Sequence, residues 1–154
     1  MTTKTNDERV LANNRRASFD FFLEERFEAG LALTGTEIKS LREGKAQIKE
    51  AYVRVDSGEA WLLNSHISQY DPASRQNHDP LRPRKLLLHK KELRTLFDQG
   101  KLKGYTIVPL KIYLKKGRAK LEIALARGKK NFDKRESIKK RETEREMARE
   151  LGRR

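Results

Sequence analysis

The side-chain pattern changes at Gly128–Arg135, and this change limits where a folded core can lie. Before it, over residues 121–125, apolar and polar residues alternate as they do in a β-strand. After it, Lys, Arg and Glu dominate up to residue 154, and no apolar run is long enough to build a core. The sequence therefore predicts three parts: a flexible leader (1–13), a folded body (14–127) and a basic C-terminal tail (128–154).

The charge of the chain indicates a polyanionic partner. Its 154 residues include 36 Lys and Arg against 22 Asp and Glu, which gives a formal net charge of +14. Nucleic acid is the favoured partner of such a chain, and an anionic membrane surface is the weaker alternative. The sequence has no cysteine, which excludes disulfides and thiolate chemistry. A lack of disulfides is common in cytoplasmic proteins.

Alternating apolar residues predict most of the strands. One long strand, or two strands joined by a bulge near Glu24-Glu25, is expected from Phe19 to Leu33. Two hairpins follow, one around the turn at residues 56–59 and one around Lys116-Gly117. In the segment 86–88, neighbouring side chains point to opposite faces, which predicts Leu86 and Leu88 inside and Leu87 outside.

Two helices are expected between these strands. Thr34 and Glu37 have the spacing of a capping box, which predicts a helix from about Gly35 to Glu43. A second helix is expected around Leu93 and Leu96. The chain is thus predicted to be mainly β, with about six strands and two to three helices, and an OB-like antiparallel barrel is favoured over a ferredoxin-like sandwich.

No enzymatic site is predicted. The three histidines are far apart in sequence, and neither Gly-Lys pair completes a phosphate-binding loop. A polar loop before residue 84 is instead predicted to present phosphate-binding side chains: Arg75, Asn77, His78, Arg82 and Arg84. No metal and no cofactor are expected.

The tail is charged with both signs. Arg141, Arg145 and Arg149 recur every fourth residue, as do Glu142, Glu146 and Glu150, so a helix would carry a basic stripe beside an acidic one. The tail has few apolar residues to bury, which predicts that it is disordered when free and folds on a binding surface.

Four blocks in the same order identify a family. They are Glu28-Ala29-Gly30-Leu31-Ala32-Leu33, Thr36-Glu37-Ile38-Lys39-Ser40-Leu41-Arg42, Arg84-Lys85-Leu86-Leu87-Leu88-His89-Lys90, and Gly128-Lys129-Lys130 followed by Asp133-Lys134-Arg135. Together they closely resemble the SsrA-binding protein (SmpB) family, the bacterial partners of transfer-messenger RNA (tmRNA). The resemblance extends from about Asn14 to Arg149.

The resemblance implies an OB-fold body and a non-enzymatic role in ribosome rescue. Proteins of this family bind the tRNA-like domain of tmRNA in trans-translation and stand in for its missing anticodon arm. Their tail enters the decoding centre and the empty mRNA channel. For this chain the resemblance implies a cytoplasmic, monomeric adaptor with no membrane association, which meets elongation factor Tu on alanyl-tmRNA.

The matching positions also imply site residues. The residues expected at tmRNA are Asn14, Arg15, Arg16, Glu28, Lys39, Arg42, Leu87 and Lys120. Those expected at ribosomal RNA are Lys129, Lys130, Phe132, Asp133, Lys134, Arg135, Arg141, Arg145 and Arg149. Phe132 stands where His or Tyr occurs in the family, so stacking on a base is retained here and hydrogen bonding from the ring is lost. A structural ribosomal protein, a general RNA-binding protein with a basic extension and an RNA-processing enzyme are the alternatives.

Overall fold

The computed structural model describes residues 8–70, 77–129 and 131–152. Strand accounts for 43% of the chain and helix for 29%, so the protein is mainly β, as predicted. The strands are β1 (Glu8–Asn13), β2 (Phe21–Leu31), β3 (Ala46–Gln47), β4 (Tyr52–Asp56), β5 (Glu59–Leu63), β6 (His66–Ile67), β7 (Arg84–Leu87), β8 (Tyr105–Lys115) and β9 (Arg118–Gly128). The helices are α1 (Ala17–Asp20), α2 (Gly35–Arg42), α3 (Lys90–Gly100) and α4 (Asn131–Gly152).

Seven strands form one antiparallel sheet in the order β1-β8-β9-β2-β7-β5-β4, while β3 and β6 pair separately. The sheet is curled, since Val55 of β4 and Ile107 of β8 line one groove beside α3. Over the described ranges no strand pairing joins β4 to β1 or β8, so the predicted barrel is not closed by hydrogen bonds.

The two hairpins and the bulge lie where the alternation placed them. In the second hairpin, Lys116 and Gly117 both have positive φ, as a two-residue turn with the twist of the strands requires. In β2 the pairing with β9 shifts between Leu23 and Arg26, which is the predicted bulge near Glu24. Strand β2 begins at Phe21 and not at Phe19 as expected, because residues 17–20 form α1, whose Ala17 packs on the sheet.

Residues 8–13 belonged to the predicted leader, but they form β1. This strand pairs with β8 along the edge of the sheet, with Ala12 buried in the main core and Leu11 packed against it. The apolar residues of this short segment stand in one run, Val10-Leu11-Ala12, without the alternation that predicts a strand, and pairing with β8 stabilises it. Residues 1–7 of the predicted leader lie outside the described part of the chain.

The long strands β8 and β9 carry buried residues on both faces. Leu121, Ile123 and Leu125 of β9 point into the main core, which is closed by α2 and α3. Ala124 and Ala126 point to the other face, where they contact α1. The face opposite the main core therefore has α1 at one end and is open at the other.

A buried ion pair connects α2 to the start of β7. Arg84 is 0% exposed, and its Nη2 lies 2.6 Å from Oε2 of Glu37. The same guanidinium donates to the Ser65 carbonyl at 2.8 Å and to the Pro80 carbonyl at 3.1 Å. Arg84 is therefore a structural residue, and the prediction that it contacts phosphate is wrong.

The same correction applies to His78 of the predicted phosphate-binding loop, which is buried and bonds the Ile67 carbonyl and the Thr36 hydroxyl through its two ring nitrogens. Arg82 donates to Glu37, but its side chain is 37% exposed, so its contact with phosphate stays a prediction. Asn77 caps the local backbone through its side-chain oxygen, and Arg75 lies outside the described residues. The loop packs onto α2 because Arg82 and His78 hydrogen-bond to side chains of that helix.

Candidate nucleic-acid interface

Three residues predicted at RNA come together in one groove on the open face. Glu28 of β2, Leu87 of β7 and Lys120 of β9 line a groove of about 660 Å³, here called the Glu28 groove. The strands place them there by register: Gly30 pairs with Lys120 on one side and with Leu87 on the other. Arg118, His89 and Glu92 complete the polar part of its wall.

The floor of the groove depends on a glycine. A Cβ atom added to Gly30 would lie 3.2 Å from the Cβ of Leu87, which is closer than side chains normally pack. The lack of a side chain at Gly30 therefore leaves room for Leu87, which is 56% exposed. An exposed leucine beside charged groups provides an apolar contact surface within a polar site.

Glu28 is held in place as a charged acceptor. Its Oε2 accepts a hydrogen bond from the Tyr113 hydroxyl and lies 3.5 Å from the Lys115 ammonium. The Tyr113 hydrogen bond lowers the pKa of Glu28, partial burial opposes this shift, and the charge of Lys115 adds to it. The carboxylate is thus ionised at neutral pH and has acceptor positions facing the groove.

Tyr113 and Lys115 were not predicted as site residues. Tyr113 is buried, and its hydroxyl donates to Glu28. The register of the second hairpin contains the signal, because Tyr113 pairs with Lys120 and so lies on the face of the groove. Sequence alone did not show how β9 and β2 are aligned.

The leucines of β7 provide a direct test of strand phase. Leu86 is 2% exposed in the main core, while Leu88, just beyond the strand, is only half-buried. We expect Leu86→Ala to cost about 2–5 kcal/mol of unfolding free energy as a core truncation. Leu87→Ala should change it by about 0.5 kcal/mol or less, as at most surface sites. Urea denaturation of both variants measures the difference, and equal losses would contradict this assignment of faces.

A second group of predicted residues surrounds α1. Asn14, Arg15, Arg16 and Phe19 line a second groove together with Arg141 of the tail, here called the α1 patch. Asn14 donates its side-chain amide to the Pro109 carbonyl at 2.9 Å, so it also anchors the start of α1 to β8. Arg15 and Arg16 are exposed.

The tail contacts the body at this patch. Lys134 lies 3.6 Å from the Asp20 carboxylate, and Arg141 donates to the Ser18 hydroxyl at 3.1 Å. Lys129 donates to the Ser18 carbonyl at 3.0 Å. The base of the tail and the α1 patch therefore form one cationic surface.

The other predicted residues lie apart from both grooves or cannot be placed fully. Lys39 and Arg42 are exposed on α2, and the Lys39 ammonium lies 5.5 Å from the ring centre of Tyr70. The exposed tail residues are Arg135, Arg141, Arg145 and Arg149. Phe132 and Asp133 lie in α4, whose side chains are not described at these positions, and Lys130 lies outside the described residues.

In the described ranges, no group of three or more His, Asp or Glu side chains is arranged to hold a metal ion. None of the described helices combines the length and the apolar surface needed to cross a membrane.

Comparisons with known proteins agree on one family. The family described as SmpB protein matches residues 11–153. The SsrA-binding protein of Shouchella clausii is 53% identical over 96% of this chain and 95% of its own, and that of Lysinibacillus sphaericus is 57% identical over 92% and 91%. A solved chain described under "tmRNA-SmpB: a journey to the center of the bacterial ribosome" is similar with a TM-score of 0.66 and 48% identity, over 82% of this chain and 92% of that one. A match of this length and identity means that the chain belongs to the SmpB family.

Proposed function

We propose that this protein is a non-enzymatic adaptor that binds the tRNA-like domain of tmRNA and delivers it to stalled ribosomes for trans-translation. The observation that carries the proposal is the Glu28 groove, where three predicted RNA contacts from three strands meet. The similarity to a chain described with tmRNA and the bacterial ribosome supports the same partners. The net charge of +14 favours binding to a polyanion.

We assign the residues to two RNA surfaces. The tmRNA surface comprises the Glu28 groove, the α1 patch and the exposed cations of α2: Glu28, Leu87, Lys120, Asn14, Arg15, Arg16, Lys39 and Arg42. The ribosomal surface is the tail: Lys129, Lys130, Phe132, Asp133, Lys134, Arg135, Arg141, Arg145 and Arg149. Lys and Arg residues position the RNA through phosphates, whereas Glu28 and Leu87 supply contacts that depend on RNA shape.

We propose that the curled sheet forms an OB-like barrel and that the tail is a separate functional part of the protein. The protein stands in for the missing anticodon arm, and its tail enters the decoding centre and the empty mRNA channel. Because Ile138 and Met147 of α4 are exposed, this helix has little packing to stabilise it. We therefore assign a disordered tail to the free protein and a persistent helix to the ribosome-bound protein.

We further propose a cytoplasmic monomer that meets elongation factor Tu on alanyl-tmRNA. Sequencing the RNA that co-purifies with the protein from a bacterial extract tests the central point. An adaptor enriches one tRNA-like RNA well above its cellular share. Ribosomal RNAs in equal amounts would instead indicate a structural ribosomal protein, and a broad mixture would indicate a general RNA-binding protein.

Removal of Glu28 tests the groove. Glu28→Ala removes an acid from a basic protein, so binding to an unrelated RNA of equal length should strengthen. Binding to the tRNA-like domain should weaken about tenfold or more, since a hydrogen bond to a charged group contributes about 1.5–3 kcal/mol. Filter binding at fixed salt measures both affinities.

Glu122→Ala is the matched control. Glu122 pairs directly with Glu28 in the β2–β9 ladder, has the same charge and contacts Arg26 at 3.5 Å, but it does not line the groove. Loss of Glu122 should strengthen binding to both RNAs by the same factor. If the two variants behave identically, Glu28 acts only through its charge and is not part of a specific site.

A further inference from the structure

An aromatic and cationic row lies where the main core ends. Phe22 of β2 pairs with Arg127 of β9, and Arg127 pairs with Tyr105 of β8, so the three side chains share one face of three adjacent strands. One ladder step earlier, the same face of β9 and β8 carries the buried residues Leu125 and Ile107. The core-facing side of the sheet thus continues into a row that reaches solvent, here called the Arg127 row.

The row presents groups that are suited to a flat ligand. Phe22 is 37% exposed, and the Arg127 guanidinium lies 5.3 Å from its ring centre. Arg127 is itself exposed, and in the described residues it has no hydrogen-bond or ion-pair partner. A planar cation supported by an aromatic ring, with its donors unused, is a surface on which a nucleobase can stack.

The surroundings carry more cations than acids, and the one carboxylate that contacts the row in the described residues is Glu24, which accepts a hydrogen bond from the Tyr105 hydroxyl at 3.4 Å. Lys129 lies 5.0 Å from the Phe22 ring centre, and nearby the Lys101 ammonium lies 3.7 Å from the ring centre of Phe97 on α3. Phe97 and Tyr105 line one groove at this end of the sheet. Aromatic rings interspersed with cations are the pattern of single-stranded nucleic-acid binding, in which cations hold phosphates and rings hold bases.

The row is separate from the Glu28 groove. Lys120 and Arg127 lie on the same strand seven positions apart, about 23 Å at the usual rise of a strand, and an odd separation places them on opposite faces. The tail leaves the body directly after Arg127, since β9 ends at Gly128. A ligand on the row therefore binds next to the point where the tail begins.

We propose that the Arg127 row is a further RNA-binding site that stacks an unpaired nucleobase. The base lies against the Arg127 guanidinium and the neighbouring Phe22 and Tyr105 rings, while Lys129 and Lys101 are placed for the adjoining phosphates. This inference goes beyond the proposed function, because it concerns a different face of the protein and requires only single-stranded RNA.

The test distinguishes binding through bases from binding through phosphates. The full-length protein is titrated with a fluorescein-labelled 12-nucleotide oligoadenylate and with an oligomer of equal length whose central positions are abasic. The wild type should bind the first at least about fivefold more tightly, because stacking contributes about fivefold or more in affinity per base. No preference for the oligomer with bases would overturn the proposal.

Arg127→Lys is the informative variant, because it keeps the charge and removes the planar guanidinium. It should abolish most of the preference for bases while leaving abasic binding unchanged, and Phe22→Leu should act in the same direction. Arg9→Lys, at an exposed position on β1 that pairs with Leu114 at the opposite end of β8 from Tyr105, should retain the full preference. Melting curves confirm that each variant is folded. A preference that persists in both row variants would place the bases elsewhere.

The unpaired base can belong to tmRNA or to ribosomal RNA, and two further titrations distinguish these sources. Wild type and Arg127→Lys are compared on the isolated tRNA-like domain and on small ribosomal subunits. A loss of about fivefold with one of them assigns the base to that RNA. Unchanged affinity for both would overturn a role of the row in binding either RNA.

Discussion

Glu37→Gln is expected to destabilise the protein by about 3–5 kcal/mol, because it removes the charged partner of a buried ion pair. Glu37 is fully buried and pairs with both Arg82 and Arg84, each at 2.6 Å. Burial lowers the pKa of Arg84, and the charge of Glu37 opposes this shift. Without the carboxylate, the Arg84 guanidinium remains buried and uncompensated, which is the costly case for a buried pair.

Urea denaturation of matched variants measures this effect. Glu59→Gln removes the same charge from the surface pair Glu59–Lys85, whose atoms are 3.1 Å apart and whose side chains are both well exposed. Surface pairs contribute about 0–1 kcal/mol, so this control should unfold nearly as the wild type does. A loss below about 1 kcal/mol for Glu37→Gln would mean that the remaining hydrogen bonds of Arg84 suffice without the ion pair.

The pair also predicts how stability depends on pH. Burial alone would raise the pKa of Glu37, but hydrogen bonds from Arg82 and the Thr34 amide, with the charge of Arg84, lower it from 4.5 to about 2. A carboxyl group with a lowered pKa stabilises the fold above its unfolded pKa, and this stabilisation is lost as pH falls from about 4.5 towards 2. The wild type should therefore lose more stability than Glu37→Gln over this interval.

This ion pair shows what sequence patterns do and do not contain. Arg84 lies two residues before Leu86, so alternation alone places both on the buried face of β7. A buried guanidinium requires an acidic partner, and that partner is 47 residues away on α2. The capping box at Thr34 and Glu37 was predicted correctly, yet the second role of Glu37 depends on tertiary packing that no local pattern encodes.

Local signals predicted the hairpins, the bulge and the outward position of Leu87, because each depends on neighbours in sequence. The alignment of distant strands was not predictable in the same way. Glu28, Leu87 and Lys120 were inferred one by one from a family resemblance, and only the pairing of Gly30 with β7 and β9 brings them together. The edge strand β1 was missed because its apolar residues do not alternate with polar ones, and its stability comes from pairing with β8.

Glu144→Pro is expected to abolish most tagging of stalled ribosomes without weakening tmRNA binding, and this prediction rests on the proposed function. Arg141 is the last residue of α4 that bonds to the body in the described residues, so position 144 divides the anchored part of the tail from the part beyond it. Proline inside a helix removes a backbone hydrogen bond and costs about 3 kcal/mol. The helix would then be broken near position 144, and Arg145 and Arg149 would no longer lie on the same helix face as Arg141.

Glu144→Ala is the control for this change, because it removes the same charge and keeps a strong helix-forming residue. Tagging in a reconstituted translation reaction and filter binding to tmRNA should both be normal for this variant. The proline variant should bind tmRNA normally, since the residues assigned to that contact lie in the body. Normal tagging by Glu144→Pro would mean that the distal tail acts only as a flexible cation, because charge alone survives the loss of the helix.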